Sequence, residues 1–183
     1  MRDIADIAAL VAGRTGMMLL LAALEQQDLP DAWIGAGLIR NAVWDALGGV
    51  ESALAGDVDV IYFDGADIRQ PRDAMIEENL RRKLPGALWS VKNQARMHRR
   101  NGDRPYRDSA DAIAHWPETA TAIAVRSIAG KIDVLAPHGV TDLLGFVVRP
   151  TPAFAVKREQ FFARVQKKSW QTRWPRLRIV APD

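Results

Sequence analysis

The sequence predicts an α/β fold, and three observations carry that prediction. Apolar residues recur at three-and-four spacing over 4–12, 16–27 and 38–47, as on the buried sides of helices. Val58, Val60, Ile61, Tyr62 and Phe63 form an unbroken β-branched and aromatic run, which suits a strand. Residues 121–126 and 131–136 are two further strand-like runs joined by S-I-A-G, a hairpin signal containing Gly130.

In chain order, the first two helices are separated by a break at 13–15, and Pro30 stops the second. Ile34 starts the first strand. Leu38, Ile39, Ala42, Val43, Ala46 and Leu47 make one face of the third helix, and a short loop leads to Asp57. After Asp64 comes a polar loop in which Asp73 is a candidate cap for a helix over 74–83. Met75, Ile76, Leu80 and Leu84 are its apolar side, and Glu77 and Glu78 face Arg81 and Arg82 across a solvated one. A third strand is expected over 88–91. Ser109 is a candidate cap for 110–115, Pro117 breaks that helix, and Thr141 caps a short helix near 140. Phe161, Phe162 and Val165 share a helical face, and an edge strand near 177–180 closes the chain.

The chain has 183 residues, 48% of them hydrophobic and 26% charged. That is ordinary globular composition, expected as one domain over 1–183: a core over about 16–150 with a basic, aromatic segment, 151–183, packed on it. With no cysteine, disulfides and thiol chemistry are excluded, and three scattered histidines argue against a zinc site. The longest apolar run, 17–24, falls short of the ~18 residues of a membrane span. The N-terminus lacks a secretory layout, so the cytoplasm is the expected location.

The stretch 33–64 carries the candidate chemistry. Gly35 and Gly37 bracket Ala36 just before the third helix, so the backbone there can approach a ligand or take positive φ. A helix start directs N–H groups and a positive dipole end at an anion, and Arg40 in its first turn adds charge. Asp57 and Asp59 alternate along the next strand, so they share a face roughly 7 Å apart. Two such carboxylates repel unless protons or a cation neutralise them, and Mg²⁺ or Mn²⁺ suits oxygen ligands shared with phosphates. The alternative is a turn capped by acids before a strand.

G-A-G before a helix, followed by D-V-D-V on the next strand, resembles the DNA-polymerase-β-like nucleotidyltransferase superfamily, and within it a small bacterial branch of about this length. The phrases A-G-L-I-R-N-A-V-W-D, D-V-D-V-I-Y-F-D, V-K-N-Q-A-R-M-H, H-W-P-E-T-A-T-A-I-A-V-R, L-A-P-H-G-V-T-D-L-L and V-V-R-P carry the match, from Ala36 to Pro150. The resemblance implies a small mixed β-sheet with flanking helices. It also implies metal-dependent transfer of a nucleoside monophosphate from a nucleoside triphosphate to a hydroxyl acceptor that it does not name. Asp57 and Asp59 would be the metal-binding and catalytic acids, with Gly35, Gly37 and Arg40 at the phosphates. The superfamily pattern places a third acid on a neighbouring strand, where this sequence has Ser90; Asp133 is a candidate substitute, with the solvent side of a hairpin strand as its favoured reading. The resemblance would put Trp116, Glu118 and His138 at the pocket, while packing is the favoured reading for them.

Asn93, Gln94 and Arg96 lie just past the third strand, where amide and guanidinium groups hold a base, sugar or phosphate; Asn93 and Arg96 are candidate nucleotide-binding residues. Loop 92–107 holds six Lys or Arg residues against Asp103, and the segment from Val156 mixes basic and aromatic residues. Both features suit nucleic acid as a possible partner. For the C-terminal segment the favoured reading is core aromatics under a solvated basic face. Two alternatives to an enzyme therefore stand, a non-catalytic nucleotide-binding module and a nucleic-acid-binding module.

Overall fold

Helices along one face of a five-stranded sheet leave the opposite face free to build a cavity. The computed structural model describes residues 1–51 and 56–181, so part of the expected loop before Asp57 lies outside the described residues. The chain opens with α1 (Ile4–Ala12) and α2 (Thr15–Glu25), bent by 92° at the predicted break. Among the described residues no single helix is long and apolar enough to cross a membrane. Then follow β1 (Trp33–Gly35), α3 (Gly37–Gly48), β2 (Asp57–Tyr62), α4 (Gln70–Lys83) and β3 (Leu88–Asn93). A 3₁₀ turn, Gln94–Arg96, runs into α5 (Met97–Asn101), and α6 (Ser109–Ala114) precedes the hairpin of β4 (Ala124–Ile128) and β5 (Lys131–Leu135). The last elements are α7 (Thr141–Leu144), β6 (Val147–Val148), α8 (Pro152–Ala155), α9 (Arg158–Lys168), α10 (Trp170–Arg173) and β7 (Arg178–Ile179).

The sheet runs β3-β2-β1-β4-β5 and is mixed: β2 and β3 are parallel, while β1 pairs antiparallel with β2 and β4. Alternation along β2 sends Val58, Val60 and Tyr62 into the main core, against Ile39, Val43, Ile76 and Leu80 of the covering helices. Ile61 faces the other way and joins Trp33, Ile113, Ala122 and Ala124 in a smaller cluster. β6 and β7 form a separate two-stranded parallel sheet, so the expected terminal strand pairs inside the structure.

Several local expectations shift by a residue or a turn, each for a tertiary reason. α4 starts at Gln70 because Pro71 in its first turn fixes a helical φ at no cost in hydrogen bonds. Asp73 is therefore inside the helix rather than its cap; it accepts from Tyr62 Oη (2.8 Å) and Asn93 N (3.3 Å) and pairs with Arg96. Asp108 caps α6, accepting from Asp111 N at 2.7 Å, and Ser109 is turned to Asp31 instead. Val140, not Thr141, is the N-cap of α7. The β4–β5 turn needs positive φ at both Ala129 (49°) and Gly130 (77°), the requirement of a primed hairpin turn. Met75 is exposed. Phe161 is fully buried, whereas Phe162 is 40% exposed beneath Arg158.

Asn93 closes the loop between β2 and α4. Its Oδ1 accepts from Asp64 N (3.1 Å) and Ala95 N (3.0 Å), and its Nδ2 donates to the carbonyls of Asp64 and Asp67 (both 2.9 Å). The side chain is 0% exposed, and truncation removes the partner of four part-buried backbone groups. Asn93→Ala should lower the unfolding free energy by about 3 kcal/mol. Urea denaturation measures this, and a loss below about 1 kcal/mol would show that the loop holds without the side chain.

Candidate functional site

Asp57 and Asp59 lie on the uncovered face of β2. Register fixes what surrounds them: Asp59 pairs with Ser90 of β3 on one side and with Gly35 of β1 on the other. One step along the same face, Ile61 pairs with Lys92 and with Trp33. Gly35 has no room for a side chain, because a Cβ there would meet Ile123 O and Trp116 Cη2 at 3.0 Å and Ala124 Cβ at 3.1 Å. Its next residue makes the turn. Ala36 carries φ 58° and ψ −128°, a conformation that favours glycine, and it is the N-cap of α3. The left-handed backbone thus falls on the alanine and not on Gly35 or Gly37. Gly37 is the first residue of α3, where backbone N–H groups lack intrahelical partners.

Ala36 and Asp59 line a cavity of about 510 Å³ together with Ser90, Lys92 and Gln94. Asp57, exposed, stands outside its lining. The segment of α8 and α9 contributes Phe154, Lys157, Gln160 and Arg164 to the lining, and Arg100, His115 and Trp116 also line it. Asp59 is the only carboxylate in this lining among the described residues, against Lys92, Arg100, Lys157 and Arg164. Such a wall selects a polyanion.

Burial, and next the negative charge of Asp57, raise the Asp59 carboxyl above its ordinary 3.8, while Lys168, Lys92 and Arg164 pull it back. Among the described residues no side chain donates a hydrogen bond to either carboxylate. A raised, unpaired acid with a second acid beside it suits a hard divalent cation that completes its shell from phosphate and water. No group of three or more His, Cys, Asp or Glu comes together among the described residues. Ser90 stands directly beside Asp59, and Asp133 lies on the far strand paired with Arg126 at 2.9 Å, so it does not substitute.

Three side chains expected at the nucleotide are outside this cavity's lining and engaged by protein groups. Arg40 is 4% exposed; its guanidinium lies 5.1 Å from the Trp44 ring and 4.7 Å from that of Trp170, and Nη1 donates to Thr121 Oγ1 at 2.7 Å. Burial lowers its pKa to about 10, partly offset by Glu118, which leaves it charged at neutral pH inside the core. Asn93 is saturated by backbone groups, and Arg96 is held by Asp73. Within loop 92–107, Arg104 and Arg107 pair with Asp111, so only part of its charge is available to a partner.

Of the four cations that face the cavity, two come from the C-terminal segment, Lys157 and Arg164. Arg164 reaches it from α9, held by the fully buried carboxylate of Glu118 through Nε and Nη2. Lys157 donates to Asn101 O at 2.8 Å and pairs with Asp103 at 3.3 Å. Glu118 and Arg164 are 46 residues apart, and nothing local marks them as partners. The one sequence signal was the excess of basic residues after 156.

The profile of a nucleotidyltransferase family matches residues 22–179. One solved structure, an NMR structure described as revealing a CCA-adding enzyme head domain, is 31% identical, covers 99% of this chain and 97% of its own, and superposes with a TM-score of 0.87. A CCA-adding enzyme in complex with CTP is 14% identical with a TM-score of 0.60, and the Thermotoga maritima CCA-adding enzyme complexed with tRNA is 16% identical with 0.59. This chain spans 43% and 42% of those two, and the likeness to them is one of fold. No curated protein sequence matches the chain. The family profile over most of the chain, and a head-domain structure matched end to end, place this protein in the nucleotidyltransferase family with the polymerase-β-like fold of a CCA-adding enzyme head domain.

Proposed function

We propose that the protein transfers a nucleoside monophosphate from a nucleoside triphosphate to an acceptor hydroxyl at the cavity between β2 and α9. The observation that carries this reading is Asp59: raised, unpaired among the described residues, and set beside the turn at Ala36 and a wall of cations. Asp57 and Asp59 would hold Mg²⁺ or Mn²⁺, which offsets phosphate charge and polarises the phosphoryl oxygens. The start of α3 receives phosphate oxygens through backbone N–H groups. Lys92 and Arg164 flank Asp59 and stabilise the charge that develops as pyrophosphate leaves. Trp116 and Phe154 give the cavity apolar surfaces against which a base can lie. In phosphoryl transfer the protein chiefly positions groups and offsets charge, and these residues supply both.

Ser90 favours a second reading, a nucleotide-binding module without turnover. Product formation separates the two. With Mg²⁺, each of the four ribonucleoside triphosphates, and an RNA oligonucleotide or glycerol as acceptor, the protein should release pyrophosphate. Asp59→Asn should cut that rate more than about 100-fold. Triphosphate binding without Asp59-dependent product would instead support the module.

Asp59 also has a cost in stability. Its raised folded-state pKa means that the folded chain binds a proton more tightly than the unfolded one; above both values the ionised group disfavours folding, and the penalty fades as pH falls through the folded value. Without divalent cation, Asp59→Asn should therefore raise the melting temperature at neutral pH while abolishing activity; a lowered one would contradict the assignment. Asp57→Asn removes the neighbouring negative charge and should move the Asp59 titration, followed by carboxyl ¹³C NMR on the metal-free protein, to lower pH. An unmoved titration would place the two groups too far apart to share an ion.

A further inference from the structure

Transfer to a hydroxyl leaves one proton unassigned. The acceptor oxygen loses it while attacking, and a positioned base at that point is worth about 100- to 10,000-fold. Ser90 is no base at neutral pH, and the Lys92 ammonium has no lone pair. The neighbouring acids are committed elsewhere: Glu118 to Arg164, Asp103 to Lys157 and Tyr106, Asp111 to Arg104. Asp59 belongs to the phosphate end.

His115 is different. It is the C-cap of α6 and lines the cavity that also holds Asp59. Its Nδ1 lies 2.7 Å from the carbonyl oxygen of Asp111. A carbonyl only accepts, so Nδ1 carries the hydrogen and the lone pair of the neutral ring sits on Nε2. The bond closes one turn of α6, and that turn is itself anchored: the Asp111 carboxylate accepts from Arg104 at 2.7 and 2.8 Å, and its N–H goes to Asp108. Tyr106 packs on the ring with centroids 5.0 Å apart. The imidazole is thereby fixed in tautomer and direction by its own helix, as an orienting partner fixes a catalytic histidine.

We infer that His115 Nε2 is the general base of the transfer, standing in for the acid that Ser90 replaces; the inference rests on the transferase reading above. As the acceptor oxygen bonds the α-phosphorus, its proton passes to Nε2. The bond between the α-phosphorus and the bridging oxygen breaks, and pyrophosphate leaves with the electron pair. The imidazolium keeps its Nδ1–H on Asp111 O and later returns the extra proton to water. The charged and titratable groups near it are Tyr106, which in turn contacts His98 and Asp103, and Asp111 with its partner Arg104; Lys92, Arg100, Lys157, Arg164 and Asp59 share the cavity lining.

Two measurements test this on the full chain. In the pyrophosphate-release assay, with the acceptors named above, His115→Ala should lower kcat by about 100-fold or more, with KM for the triphosphate changed less than about threefold. The acid limb of the wild-type pH profile should be absent from the variant, and added imidazole should restore part of the rate. A kcat within about threefold of wild type, or a loss confined to KM for one nucleotide, would overturn the inference and leave the transferase reading intact. No Asp59-dependent release from the wild type would overturn both. Independently of turnover, ¹⁵N NMR of the imidazole should show the Nδ1–H tautomer; the Nε2–H form would overturn the assignment by itself.

Discussion

Everything at this site depends on the antiparallel pairing of Gly35 with Asp59. That single register brings a backbone turn and a carboxylate side by side, although 24 positions separate them in the chain. A side chain at Gly35 would collide with Ile123, Trp116 and Ala124, so the absence of a Cβ lets β1, β4 and the Trp116 segment close around the turn. A one-residue slip of β2 would send Asp57 and Asp59 into the helical core and Val58 and Val60 into the cavity. Those valines are nearly or fully buried in the main core, so the hydrophobic core itself holds the acids in place.

Carboxylates hold cations both outside the cavity, as Asp73 holds Arg96, Asp111 holds Arg104 and Asp45 holds Arg173, and at its wall, as Asp103 holds Lys157. Inside it, Asp59 faces four cations, of which Arg164 is aimed by buried Glu118. The buried pair would be a poor device for stability, since desolvating two charges offsets most of their attraction. Its consequence is positional, because it keeps a guanidinium at the cavity wall.

The sequence resolved the parts of this design that are local. Strand alternation put Asp57 and Asp59 on one face, and the glycines around Ala36 marked a turn before a helix. Ser90 was recognised as the residue beside the acids, and the structure sets it opposite Asp59. Arg40 has a first-turn position that suits an anion, and its contact with Trp170, 130 residues away, has no local signal. Asn93 and Arg96 have chemistry that suits a ligand, and their contacts with backbone groups and Asp73 are likewise tertiary. His115 opens the phrase H-W-P-E-T, but the phrase assigns it no role; only the return of α8 and α9 over the sheet makes a cavity beside it.

The most direct test of the account is a crystal structure with Mn²⁺ and a non-hydrolysable nucleoside triphosphate. Anomalous scattering should place the ion between the carboxylates of Asp57 and Asp59, with the phosphate tail against the backbone N–H groups that follow Ala36. An ion bound elsewhere, or a nucleotide lying away from β2, would contradict it.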